Sequence, residues 1–179
     1  MLTCITNIKL PECPDLCEIL DMDKEDMEEE LDKIEQKFAT VTGGVVRGCV
    51  GALDGLCIKI KRPSKGTKEG QVANPAAYFT RKGFFALPLQ CIADKWGMIR
   101  YVSITQPGSS HDSVSWTCSK LARRIRDGDL DQRYFIVGDD AYAASEQMIT
   151  PYPGRGLNSR KDGFNFYQSS LRIKIVSQR

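Results

Sequence analysis

Residues 45–61 read VVRGCVGALDGLCIKIK, a β-branched and apolar run with the composition of a largely buried strand or strand pair. Asp54 stands inside it. A buried carboxylate is costly unless a positive group compensates it, so this stretch both starts a sheet and raises the first question about chemistry. The plainer reading of Asp54 is a turn residue ahead of Gly55.

Downstream comes a basic loop, with Lys59, Lys61, Arg62, Lys65 and Lys68 around Pro63 and Gly66. GFFALPLQCIAD (83–94) and MIRYVSIT (98–105) then read as two antiparallel strands around a turn at Lys95-Trp96-Gly97. Residues 113–126 place Val114, Cys118, Leu121, Ala122 and Ile125 on one helical face, with Arg123, Arg124 and Arg126 in the last turn and Gly128 just beyond. YFIVG (134–138) is a short buried strand that runs into Asp139-Asp140. Pro151, Pro153, Gly154 and Gly156 mark a loop before the closing helical stretch FNFYQSSLRIKIV (164–176). Its tail, SSLRIKIVSQR, is expected to be too short to hold a helix firmly by itself.

Upstream, residues 15–39 carry Leu20, Met27, Leu31, Ile34 and Phe38 at helical spacing with acids on the other face. This predicts one amphipathic, acidic helix, either a solvated face over a packed stripe or a docking helix for a basic partner. Thr42-Gly43-Gly44 breaks the pattern. The expected organisation is an acidic helical segment over residues 1–42 and a main domain over residues 43–179.

The chain has 179 residues, 41% of them hydrophobic and 27% charged, which suits one soluble domain with a sizeable core. No apolar run of ~18 residues is present to span a bilayer as a helix. MLTCITNIKLPECPDLCEIL lacks the basic and apolar regions of a secretory signal, so an intracellular location is expected. The net charge of +2 hides an asymmetry: residues 1–40 hold twelve acids and four bases, and the remainder is basic. A basic body suits a polyanion partner, although solubility alone explains it equally well. Lys59, Lys61, Arg62, Lys65 and Lys68, with Arg81 and Lys82, form the cluster from which sequence-independent DNA binding is expected, with a solvated loop as the plainer alternative.

Seven cysteines, an odd number without a Cys-x-x-Cys pair, argue against a secreted disulfide framework. His111 is the only histidine, and Cys4, Cys13 and Cys17 supply three thiols at irregular spacing, so zinc is disfavoured. Cys49, Cys57 and Cys91 lie in apolar runs and read as small core residues.

Two further aspartates occupy special places: Asp112 at the loop-to-helix turn PGSSHD and Asp139 at the end of YFIVGD. Each has a plain alternative, Asp112 as cap of a helix from Ser113 and Asp139 as cap of a turn into Ala141–Ile149. Asp140, its neighbour, is expected to point the other way. In a mixed α/β sheet the carboxyl ends of strands lie together, so acids from several strand ends can meet on one cation. Hard oxygen ligands with almost no histidine favour Mg²⁺ or Mn²⁺. Two such ions bridged by carboxylates activate water or a 3′-hydroxyl and stabilise the leaving oxygen at a phosphodiester.

Six segments, in order, carry a resemblance: GALDG (51–55), YFTRKGFFALPLQCIAD (78–94), PGSSHDS (107–113), VGDDAY (137–142), ITPY (149–152) and FNFYQSSLRIKI (164–175). Over about residues 45–175 the chain resembles the PIF/Harbinger transposase-derived nucleases, a branch of the DDE endonucleases. The resemblance implies an α/β, RNase H-like mixed sheet flanked by helices, with the chain truncated at its C-terminus relative to that family. It implies that Asp54, Asp112 and Asp139 are the catalytic metal ligands, with Mg²⁺ or Mn²⁺ as cofactor, DNA as substrate and the nucleus as location, the cytoplasm being the alternative. The family's tail segment continues from Arg through Ile to a Glu, and here Arg172 and Ile175 are followed by Val176. GDDAY also stands where the family usually has Gly-Asp-Ser-Gly-Tyr. The implied activity is therefore an impaired two-metal endonuclease, working with a separate DNA-binding partner protein because few residues precede the domain. The rival is a non-catalytic DNA- or protein-binding relic of a domesticated transposase.

Overall fold

β1 (Cys49–Lys59) is the hub of the fold. The computed structural model describes residues 13–176, with side chains through Arg172. Helices α1 (Leu16–Leu20) and α2 (Lys24–Ala39) precede β1, and two short parallel strands, β2 (Ser64–Lys65) and β3 (Gln71–Val72), follow it. β4 (Ala86–Ala93) and β5 (Ile99–Ser103) come next, then α3 (Asp112–Thr117), α4 (Lys120–Arg126), β6 (Phe135–Val137), β7 (Met148–Ile149) and α5 (Ser159–Val176).

The main sheet has the order β5-β4-β1-β6-β7. β4 runs antiparallel to both β1 and β5, whereas β6 is parallel to β1 and β7 parallel to β6. Counting these five strands in chain order gives 3-2-1-4-5, a mixed sheet of the RNase H-like kind. The expected antiparallel pair is β4–β5. Its turn is held by Asp94, whose Oδ1 accepts from Trp96 N at 2.9 Å and Met98 N at 3.1 Å.

Register decides which side chains share a face. Leu53 pairs with Ile92 and Gly55 with Gln90, while Ala52 pairs with Ala93 and Asp54 with Cys91. Because successive residues point to opposite faces, Asp54 and Gly55 look in opposite directions. On the Gly55 face lie α1, through Leu16 against Gly51, and α4, whose Leu121 N–H donates to Tyr101 Oη at 3.3 Å. On the Asp54 face lies α5, whose Leu171 lines one cavity with Val137 and Ile149.

Leu31, Ile34 and Phe38 of α2 join Leu16, Ile19, Leu53, Ile92 and Ile136 in one core, so the acidic segment packs on the sheet. Glu35 ties it to the start of β1, accepting from Arg47 Nε at 2.6 Å and from Gly48 N at 3.0 Å. The single helix expected over residues 15–39 is two helices. Asp15 caps α1 in a reciprocal capping box with Glu18, and Asp23 accepts from Asp26 N at 3.1 Å to start α2. The helix expected over residues 113–126 is likewise two, because Ser119 caps α4 by accepting from Ala122 N at 3.1 Å. Val114 and Cys118 are consequently exposed. Of the cysteines expected in the core, Cys49 is buried, whereas Cys57 and Cys91 are only half-buried. Cys4 lies outside the described residues.

Candidate functional site

Asp54 is mid-strand and 5% exposed, so it is no turn residue. β6 ends one residue short of Gly138, and Asp139 follows on the Asp54 side of the sheet. Asp139 Oδ1 accepts from Ala141 N at 3.0 Å, which realises the turn cap as one of its roles. Its other oxygen faces Arg172 of α5, Nη2 to Oδ2 at 3.8 Å. Burial pushes the Asp139 carboxyl above the usual carboxylate range; the Ala141 N–H and the Arg172 guanidinium oppose this, and the charges of Asp54 and Asp140 reinforce it. Asp54 and Asp139 thus repel one another, and the Arg172 guanidinium offsets charge at Asp139.

Asp112 lies on the other face. It opens α3 behind His111, and no side chain caps that helix. Its carboxylate rests on the backbone of β1 at Gly55, where a Cβ would come within 2.3 Å of Oδ1. Only glycine permits this approach. Oδ1 accepts from Gln90 Nε2 at 3.1 Å, and Gln90 Oε1 accepts from Tyr142 Oη at 2.7 Å. Gln90 is fully buried in the middle of β4. The Tyr142 phenol is driven up in pKa, first by burial and then by the charges of Asp112, Asp139 and Asp54, so it senses all three acids.

The three acids therefore meet as a pair on one face and a single carboxylate on the other. Among the described residues no three His, Cys, Asp or Glu side chains are grouped to hold an ion. As a donor set, Asp54 and Asp139 fit a hard divalent cation: two mutually repelling carboxylates, oxygen-only, at a strand centre and a neighbouring strand end. Asp112 is engaged by Gln90 instead.

Sequence reasoning missed Gln90, Tyr142, Gln168 and Arg172 as parts of this site. Gln168 Nε2 donates to Gly138 O at 2.5 Å and to Ile149 O at 3.3 Å, which docks α5 beside Asp139. Arg172 Nε is buried without a hydrogen-bond partner. A glutamine inside the apolar run LPLQCIA was the one available signal, since a buried amide demands partners.

The expected cationic cluster is exposed throughout: Lys59, Lys61, Arg62, Lys65, Lys68, Arg81 and Lys82. It occupies the end of the β1–β4 pair where β1 leaves the core, together with the connection to β4.

An RNase H-like sheet with acids at β1 and after β6 defines a nuclease-type α/β domain. A family model described as DDE superfamily endonuclease matches residues 53–177, and the chain belongs to that family. The match begins one residue before Asp54 and covers every element from mid-β1 through α5. Comparison with curated proteins and with solved structures gives no match in either. No helix among the described residues is long and apolar enough to cross a membrane.

Proposed function

We propose that this is a transposase-derived endonuclease domain of the PIF/Harbinger branch that cuts phosphodiester bonds in DNA with Mg²⁺ or Mn²⁺. The observation behind this is that the chain belongs to the DDE endonuclease family, with the buried Asp54 in mid-β1 and Asp139 just past β6, on the Arg172 side of the sheet. The branch rests on the six ordered segments, GALDG through FNFYQSSLRIKI.

Asp54 and Asp139 would hold the ion, and Asp112, bound by Gln90 on the opposite side of β1, would contribute its charge, which reaches the Tyr142 phenol as those of Asp54 and Asp139 do. A bound divalent ion supplies Lewis-acid activation of the attacking oxygen and stabilisation of the leaving one. Arg172 offsets carboxylate charge at Asp139, and Gln168 keeps α5 seated. The cations of residues 59–82 hold the DNA backbone. The nuclear location and a separate DNA-binding partner protein follow from the same reading.

α5 bears on the impairment expected from Val176. It runs for 18 residues to Val176 and is anchored by the buried Leu171 and Gln168, so the helix has support beyond the tail itself. Position 176 stands one turn, about 6 Å along the axis, past Arg172. Val176→Glu in this chain should therefore raise Mn²⁺-dependent nicking of supercoiled plasmid above that of the unaltered protein, and adding Asp54→Ala should abolish it. Mn²⁺ should also raise the melting temperature progressively, and Asp54→Ala should remove that shift. A melting temperature indifferent to millimolar Mn²⁺, with no nicking by either chain, would refute the metal-dependent reading and favour a non-catalytic binding module.

A further inference from the structure

Residues 59–85 carry seven cations and one acid, Glu69. Among the described residues none of the seven stands in an ion pair, so their charge is available to an outside partner. Interleaved with them are three phenylalanines. Phe79 is 47% exposed and meets Phe85 edge to face, with ring centroids 5.0 Å apart. The Arg62 guanidinium lies 6.0 Å from the Phe85 centroid, and Lys59 Nζ lies 5.7 Å from that of Phe84.

This arrangement is built rather than incidental. Thr80 N and Oγ1 both donate to Phe84 O, at 2.8 and 2.9 Å, and Gly83 N donates to Thr80 O at 3.1 Å. The resulting tight turn sets Phe79 beside Phe85. It also adjoins the acidic site: Ser109 N donates to Ala77 O at 2.9 Å, and Gly108 lies against the carbonyls of Tyr78 and Ala86 so closely that no side chain fits. The loop that delivers Asp112 is thus laid on the segment that presents Phe79.

Cations alone serve a duplex backbone, whose phosphates are its outer surface. Exposed aromatic rings among cations serve a different ligand, because an unpaired base offers a free π face for stacking that a base inside a duplex does not. We propose that residues 59–85 bind an unpaired DNA strand, Phe79 stacking a base while Arg62, Lys61, Arg81 and Lys82 hold the flanking phosphates. The inference rests on the reading of the domain as DNA-directed, and it names the form of DNA that enters.

The test is fluorescence anisotropy of the unaltered chain with a 20-nucleotide single strand and with the corresponding blunt duplex, in EDTA so that no cleavage contributes. The single strand should bind more tightly. Phe79→Ala should weaken its binding about five- to hundredfold while changing duplex binding less than twofold, and Phe79→Trp should retain or tighten it. Equal affinity for both forms with Phe79→Ala neutral would overturn the proposal and leave a purely electrostatic surface. Failure of Phe79→Trp to bind while its melting curve matches the parent would also overturn it, as would tight binding of an acidic peptide in place of DNA. Because no metal is present, nicking can fail while strand selection holds, and the reverse.

Discussion

β1 is two strands in one. From Cys49 to Asp54 every residue is buried, whereas from Gly55 to Lys59 the strand emerges, with Leu56 43% and Ile58 38% exposed. The inner half is covered by α2 and α5 and flanked in the sheet by β4 and β6. The outer half is paired to β4 alone and leads into the cationic, aromatic segment. The change falls at Asp54 and Gly55, where the acidic site lies. One continuous strand thus gives a rigid support to a carboxylate and then a projecting arm to whatever approaches it.

The comparison can be broken most directly in the core. Leu53→Ala should cost about 2–5 kcal/mol in urea unfolding because its site is enclosed on all sides, whereas Leu56→Ala should cost less than about 1 kcal/mol. Similar losses at both positions would mean that the outer half is covered in solution. At the junction, Gly55→Ala drives a methyl into the Asp112 carboxylate, and a loss of about 1–3 kcal/mol is expected. Adding Asp112→Ala should recover part of that loss, and strict additivity would show that the contact carries no energy. The smallest effect concerns the two cysteines of the strand. Burial pushes the Cys49 thiol up to about 12, so at pH 8 a thiol reagent should label half-buried Cys57 in the folded protein and reach Cys49 only on unfolding. Mass mapping of the modified peptides checks this, and early labelling of Cys49 would show that the inner half opens.

Much of the fold was legible because hydrophobic period reports secondary structure locally. β1, the β4–β5 pair with its turn, β6 and a closing helix follow from apolar runs and punctuation by glycine and proline. The two helix breaks were not, although Asp23 and Ser119 are ordinary capping residues. An unbroken apolar stripe on either side of a cap looks continuous in sequence, because period ignores a change of axis. Arg172 was invisible as a partner of Asp139, since 33 positions separate them in the chain and only the docking of α5 brings them together.

What the amino-acid sequence by itself determined is the material: three acids beside strands, a glycine after the first of them, a cationic loop and an α/β order of elements. Local rules suffice for these, because strand alternation and turn chemistry need no distant partner. The tertiary structure alone decided how the acids divide. Alternation sends Asp54 and Gly55 to opposite faces, but the face on which Asp112 lands depends on how α3 packs against β4 and β1. The space left at Gly55 and the amide of Gln90 draw Asp112 to the side away from Asp139. Long-range packing sets that choice, and no spacing along the chain encodes it.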